Sequence, residues 1–279
     1  MPLALITGAN AGLGFESARG LLARGFEVVL TSRDRARAEK ALGRLRDEYP
    51  KGQISALSLD LSISSSVDAL ASAFSARFPS WDVLINNAGA KVLLEYSETD
   101  SGIEYHYGVN AVGHFAITAD LLKFRAPISR VVTVTSIVAR WANPTLGPIG
   151  SKANYSRGES YGASKLSNLL FALELERRFG SSAFSSVAAH PGFARAEPYG
   201  PPSTRFFELL LAQTAARGAL PIIEAAADSN VVGGSYRAPR VFELWGEPGD
   251  GALAKNCTLE NQAENWQILE ELSGRKLTL

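Results

Sequence analysis

The chain has 279 residues, 46% hydrophobic and 20% charged, which is ample material for one large core. Lys+Arg and Asp+Glu both number 28, and this neutral balance argues against a nucleic-acid or anionic-membrane surface. No run approaches the ~18 apolar residues needed to cross a bilayer, the N-terminus lacks signal-peptide character, and the single cysteine, Cys257, cannot form an internal disulfide, so a cytoplasmic protein is expected.

Short β-branched or aliphatic runs alternate with longer stretches of helical period, the pattern of a parallel sheet covered by helices on both faces. Strands are expected at 3–7, 27–32, 54–60, 83–86, 130–136 and 186–190, with helices at about 12–24, 34–48, 64–78, 100–125 and 159–179. Beyond His190, Pro191-Gly192 and the Pro/Gly-rich 198–202 stretch suggest a loop, followed by a helical stretch over 205–228 interrupted at Gly218 and Pro221. A short strand at 234–237 or 240–244 and a helix at 259–272 complete a Rossmann-type doubly wound α/β sheet of about seven strands. No linker divides the chain, so residues 1–279 read as a single domain with a substrate loop or lid inserted near 193–218.

The first strand runs directly into Thr7-Gly-Ala-Asn-Ala-Gly-Leu-Gly14. Glycine permits a tight turn and lets backbone amides approach a pyrophosphate at the positive end of the next helix. The second strand ends at Ser32-Arg33, where an acidic residue would hold a ribose 2′-hydroxyl and an arginine would pair with a 2′-phosphate; Asp34 next door is a competitor. NADP(H) is therefore expected over NAD(H). Asp60, at the close of the third strand, could accept from an adenine amino group or cap the following helix. The fourth strand continues into Asn86-Asn-Ala-Gly89, which leaves room for a cofactor beside the strand end. Farther on, Tyr161-Gly-Ala-Ser-Lys165 puts a phenol and an ammonium one helical turn apart, so the lysine is expected to lower the phenol's pKa toward a useful acid/base range.

With TGANAGLG, NNAG, the asparagine of Gly108-Val-Asn110, Ser136 at the end of the fifth strand and YGASK in order, the sequence resembles the short-chain dehydrogenase/reductase family. The match covers most of residues 1–192. The 109–115 segment, the long gap from Ser136 to Tyr161 and the 154–158 stretch look most like the retinol-dehydrogenase-like branch and its bacterial relatives. The resemblance implies that Tyr161 is the general acid/base, that Lys165 tunes it and holds the nicotinamide ribose, and that Ser136 bonds the substrate oxygen. It implies that Asn110 holds a water leading from the lysine to a proton relay. It gives the dinucleotide contacts to Gly8, Asn10, Ala11, Gly12, Leu13, Gly14, Ser32, Arg33, Asp60, Leu61, Asn87, Ala88, Gly89, Tyr161, Lys165, Pro191 and Gly192.

One departure from the family pattern lies four residues beyond Gly192, where many members carry a threonine and this chain has Ala196. One carboxamide contact is missing, or is supplied by Arg195 or nearby backbone. Trp141, Tyr155, Phe193, Tyr199, Phe206 and Phe207 flank the expected nicotinamide end and point to a lipophilic carbonyl or alcohol substrate, bulky or ring-containing. His114 reads as a packed helix residue, and neither it nor the isolated His190 suggests a metal site. A homodimer or homotetramer through helices 100–125 and 159–179 is implied by the family. Alternatives within reach of the same residues are reduction of a ring double bond or a polyketide-like aromatic, and a catalytically silent dinucleotide-binding regulator.

Overall fold

The computed structural model describes residues 1–90, 93–142, 145–194 and 212–278. Its centre is an eight-stranded sheet: β1 (Leu3–Ile6), β2 (Glu27–Ser32), β3 (Ile54–Ser58), β4 (Trp81–Asn86), β5 (Arg125–Val134), β6 (Phe184–Ala189), β7 (Tyr236–Val241) and β8 (Trp245–Asp250), in the order 3-2-1-4-5-6-7-8. All neighbours are parallel except β7 and β8. Strands such as Leu3-Ala-Leu-Ile6 are buried along their whole length because helices cover both faces. The strand order reverses between β1 and β4, the crevice where doubly wound sheets bind ligands.

The helices are α1 (Gly12–Leu22), α2 (Arg35–Glu48), α3 (Ser64–Ser75), α4 (Tyr105–Tyr107), α5 (Gly113–Leu121), α6 (Arg157–Phe179), α7 (Ala215–Gly218), α8 (Leu220–Ala227) and α9 (Leu259–Ser273). One face of the sheet builds a core with Phe74, Trp81, Phe115, Phe171 and Trp266. The other packs Phe15, Leu21, Leu45 and Ile222. Among the described residues no helix is long and apolar enough to cross a membrane.

Three departures from the expected elements have physical causes. β3 ends at Ser58, so Asp60 lies in the turn beyond it, accepting from the Ser62 amide (3.0 Å) and hydroxyl (2.7 Å). The helix expected over 100–125 is α4, a π-turn over Gly108–Val112, α5 and a 3₁₀ turn over Leu122–Phe124, and β5 already begins at Arg125. The sheet has eight strands where about seven were expected, because β8 follows β7 through a hairpin whose Phe242 and Glu243 adopt φ of 53° and 59°. Glu243 is held in that left-handed conformation by its carboxylate, which accepts from the Ala252 amide (2.8 Å) and the Tyr236 hydroxyl (3.3 Å) and pairs with Arg140 (3.2 Å).

α9, expected at 259–272, lies across α5 and α6, where Trp266 meets Phe115 edge to face and Phe171 and Phe179 at tilted angles, with ring centroids 5.3–6.0 Å apart. Residues 162–175 of α6 are all buried within the single chain. α9 thus packs on part of α5 and α6, the helices expected to meet a second copy.

Candidate active site

The β1 turn and the Asn86-Asn-Ala-Gly89 segment are bolted together. Backbone amides of Asn87 and Ala88 donate to the Thr7 hydroxyl at 2.9 and 2.8 Å, and the Asn87 side-chain amide donates to the Thr7 carbonyl at 2.8 Å. Gly8 has φ +64°, and a Cβ there would sit 2.9 Å from Ala88 Cα; a Cβ on Gly14 would meet Asn87 Nδ2 at 2.5 Å. The glycines thus permit a backbone approach that no side chain would allow.

Ala11 precedes α1 in an extended conformation with no side-chain cap, and the first turn carries no acid. The α1 amides at Gly12, Leu13 and Gly14 form a positive end that carries no side-chain cap among the described residues, a cradle that fits a pyrophosphate at Gly8, Asn10 and Ala11.

Around the adenosine end, Ser32 is buried and exchanges hydrogen bonds with the Asp34 backbone at 3.0 and 3.1 Å. Asp34 is occupied as the cap of α2, accepting from the Arg37 amide at 3.0 Å and pairing with the Arg37 guanidinium at 3.4 Å. Arg33 projects into solvent, where it donates to the Tyr105 hydroxyl at 3.1 Å. Leu61 is buried against Gly113. At the opposite end, Gly192 follows β6 with φ +73°, and the Pro191 carbonyl accepts from Gln213 Nε2 at 2.9 Å. Arg195, Ala196, Tyr199, Phe206 and Phe207, with most of the 193–218 insertion, lie outside the described residues; Trp141 and Phe193 are exposed and Tyr155 is half-buried.

Ser136, Tyr161, Lys165 and Asn110 converge past the ends of β4 and β5. Ser136 sits just after β5, at the start of a 3₁₀ turn over Ile137–Arg140. Its hydroxyl faces the Tyr161 phenol and pulls the phenol's pKa down, and the Lys165 ammonium lies 5.9 Å from the Tyr161 ring centre. α6 is docked on β5 by the Thr135 hydroxyl, which donates to the Lys165 carbonyl at 2.7 Å, and by Lys165 Nζ and Asn168 Nδ2, which both donate to the Val134 carbonyl at 3.1 Å. A Cβ on Gly89 would lie 3.3 Å from Asn110 Oδ1 and 3.7 Å from Lys165 Nζ, so the glycine keeps the space between them open.

The electrostatics differ from the expectation for the Tyr161 and Lys165 pair. Burial pushes the Tyr161 phenol up, Ser136 pulls it down, and burial lowers Lys165 to about 8. The lysine is only 4% exposed and donates to backbone, and at Tyr161 desolvation outweighs the pull of Ser136.

Asn110 sits inside the π-turn, its side chain accepting from the Ala90 amide (2.6 Å) and donating to Ser164 Oγ (2.9 Å). Its carbonyl accepts from His114 Nδ1 at 2.8 Å. Since that carbonyl can only accept, the imidazole proton is on Nδ1, and Nε2 accepts from the Thr7 hydroxyl at 2.9 Å. Burial holds His114 neutral, with a pKa lowered to about 3. Thr135 and Asn168 are thus structural members of the site that the sequence motifs did not single out, while Thr7 opens the glycine-turn motif and His114 is the packed helix residue expected.

A family model described as short chain dehydrogenase matches residues 2–199. Retinol dehydrogenase 12 from Homo sapiens is 40% identical over 196 residues, covering 69% of this chain and 61% of its own length. Retinol dehydrogenase 14 from Mus musculus is 40% identical over 204 residues, covering 68% of this chain and 60% of its own length, so the match spans about three fifths of these relatives. The crystal structure of an uncharacterised protein from Mycobacterium Paratuberculosis covers 100% of this chain and 96% of its own, with a TM-score of 0.83 and 32% identity. A short-chain dehydrogenase from Sphingobium yanoikuyae, solved in complex with NADPH, has a TM-score of 0.65 at 25% identity, covering 80% of this chain and 84% of its own. A glycine turn bolted to Asn87 and Ala88, a serine, tyrosine and lysine gathered past β5, and matches of this extent together mean that the chain belongs to the short-chain dehydrogenase family, in its retinol-dehydrogenase-like branch.

Proposed function

We propose that this protein is an NADP(H)-dependent oxidoreductase that interconverts a carbonyl and an alcohol on a lipophilic or ring-containing small molecule in the cytoplasm. The observation that carries this reading is the gathering of Tyr161 and Lys165, whose ammonium is 5.9 Å from the phenol ring, with Ser136 facing the phenol and Asn110 beside the lysine around the space left by Gly89. When bound, the nicotinamide dinucleotide supplies or accepts the hydride. Ser136 orients the substrate oxygen, and Tyr161 gives it a proton as negative charge grows there in the reductive direction. Lys165 Nζ keeps one donor on the Val134 carbonyl and has two left for a ribose or a water held at the Asn110 carbonyl.

The pyrophosphate would rest on Gly8, Asn10, Ala11, Gly12, Leu13 and Gly14. Ser32 and Arg33 would border the adenosine ribose, Asp60 and Leu61 the adenine, and Asn87, Ala88, Gly89, Pro191 and Gly192 the remainder. Arg33 supports NADP(H), because its guanidinium reaches into solvent while the carboxylate of Asp34 is engaged in capping α2. The NADPH complex of the Sphingobium yanoikuyae relative agrees with this preference. A homodimer or homotetramer of this chain would have to form through a surface other than the α9-covered faces of α5 and α6.

The test is NADPH oxidation with a panel of lipophilic aldehydes and ketones, comparing wild type with Tyr161→Phe. Turnover in the wild type and its loss in the variant is the expected result; equal turnover by the two would overturn the assigned mechanism.

A further inference from the structure

We infer that Glu104 and His106 form a buried positioning pair that fastens the loops carrying Leu93 and Tyr155 against Tyr161 and so governs which bulky substrates reach it; this rests on Tyr161 being the acid/base proposed above. Both side chains are sealed in the protein, His106 at 0% and Glu104 at 2% exposure. A buried carboxylate is costly unless its lone pairs are met. Glu104 meets them with the His106 amide (3.1 Å), the Tyr107 amide (2.9 Å) and the His106 ring at Nδ1 (2.9 Å). The two backbone bonds are an ordinary helix cap. The imidazole is not needed for capping, and its contacts with Leu93, Tyr155 and Tyr161 lead away from the helix.

The Leu93 amide donates to His106 Nε2 at 3.1 Å, so Nε2 is the acceptor and Nδ1 carries the proton directed at Glu104. The Tyr155 hydroxyl lies 3.2 Å from Nδ1 and donates to the Leu93 carbonyl at 3.4 Å, which closes a small ring of bonds between two loops. The edge of His106 meets the Tyr161 ring at 5.9 Å and 74°, while Tyr155 lies nearly parallel to the imidazole at 6.4 Å and itself meets Tyr96 at 5.8 Å. The result is an aromatic wall of Tyr96, Tyr155, His106 and Tyr161, drawn from four stretches of chain with His106 at the junction. Glu104 fixes the tautomer, the tautomer fixes Leu93 and Tyr155, and these fix the wall beside the reacting phenol.

The experiment uses His106→Phe, which keeps an aromatic edge against Tyr161 and removes both ring nitrogens, with His106→Gln as the variant that restores an acceptor. Hydrogen exchange at the Leu93 amide should rise about tenfold in His106→Phe, recover in His106→Gln, and leave the Ala90 amide, held by Asn110, unchanged. With NADPH present, KM for a ring-containing ketone should rise about tenfold while kcat changes little and a short aliphatic aldehyde is unaffected. Unchanged Leu93 exchange, or equal losses on large and small carbonyls, would overturn the inference. Should His106→Phe not fold, Glu104→Gln, which keeps the size of the side chain, is read by the same measurements. If the wild type reduces no carbonyl, the functional reading fails by itself, and the exchange measurement still decides whether the pair fastens the loops.

Discussion

The Thr7 hydroxyl and His114 Nε2 are 2.9 Å apart although 107 residues separate them in the chain, and through this one imidazole the β1 turn is linked to the carbonyl of Asn110. Burial lowers His114 to about 3, well below the ordinary 6.5. A histidine with a depressed folded pKa contributes stability that is present above 6.5 and lost as pH falls toward 3, because the unfolded chain binds the proton first. At pH 5 this amounts to about 2 kcal/mol per histidine. His190, also lowered to about 3, acts with the same sign. Urea unfolding at pH 7 and pH 5 should therefore show a smaller acid loss in His114→Asn than in wild type.

Ser136 pulls the Tyr161 phenol down against burial. Ser136→Ala should move the Tyr161 limb of the pH–rate profile to higher pH, besides lowering kcat by about 10²-fold through the lost contact to substrate oxygen. The profile of kcat/KM for alcohol oxidation checks this; a limb that stays in place means that Ser136 does not tune the phenol.

Lys165 is held at about 8 against an ordinary 10.5, so its folded-state pKa is depressed and stability rises with pH between those values. At neutral pH the buried ammonium is a burden that an apolar chain of similar length lacks. Lys165→Met should stabilise the fold by about 1–3 kcal/mol at pH 7 and abolish turnover, because Asn168 still donates to the Val134 carbonyl while the ribose contact is gone. Thermal melting and NADPH oxidation on the same sample test the opposing signs.

Arg33→Ala should lower the preference for NADPH over NADH by about tenfold, leaving the binding of NADH nearly unchanged. The ratio of kcat/KM for the two dinucleotides measures it. Tyr105→Phe removes only the hydroxyl that Arg33 donates to and should move the ratio less.

Gly14→Ala would force a Cβ to 2.5 Å from Asn87 Nδ2 and 2.7 Å from the Gly8 carbonyl. The expected cost is about 1–3 kcal/mol of stability together with a loss of dinucleotide affinity, followed by melting and by quenching of protein fluorescence on titration with NADPH. Gly43→Ala is the control, since nothing lies within 4 Å of its Cβ position.

The motif residues were legible because each answers a local demand. Gly8 and Gly14 stand where the backbone must come close, Ser136 where a strand ends, and Tyr161 and Lys165 on one side of a helix. β5 was placed too late because Pro127 interrupts a strand that starts at Arg125. β8 was invisible because Trp-Gly-Glu-Pro-Gly-Asp contains two glycines and a proline, which only an edge strand tolerates, there opposite Pro239. The expectation that Lys165 lowers the phenol pKa followed from spacing alone and left out desolvation, which depends on how deeply α6 is sunk beneath its neighbours. The Glu104 and His106 pair could not be read at all, since Leu93, Tyr155 and Tyr161 meet only after three loops close.

The π-turn at Gly108–Val112 has a consequence for insertions and deletions. It takes in one residue more than a regular turn, and since an α-helix turns about 100° per residue, everything beyond it is rotated by about that angle. Asn110 is thereby aimed at Ala90 and Ser164 while Phe115 and Ile117 remain in phase with the core. Removing a single residue from this stretch would give a smoother helix and a broken enzyme, with one of the two faces out of phase whichever way the segment settled. Chain length here is as much a part of the site as the identity of Asn110.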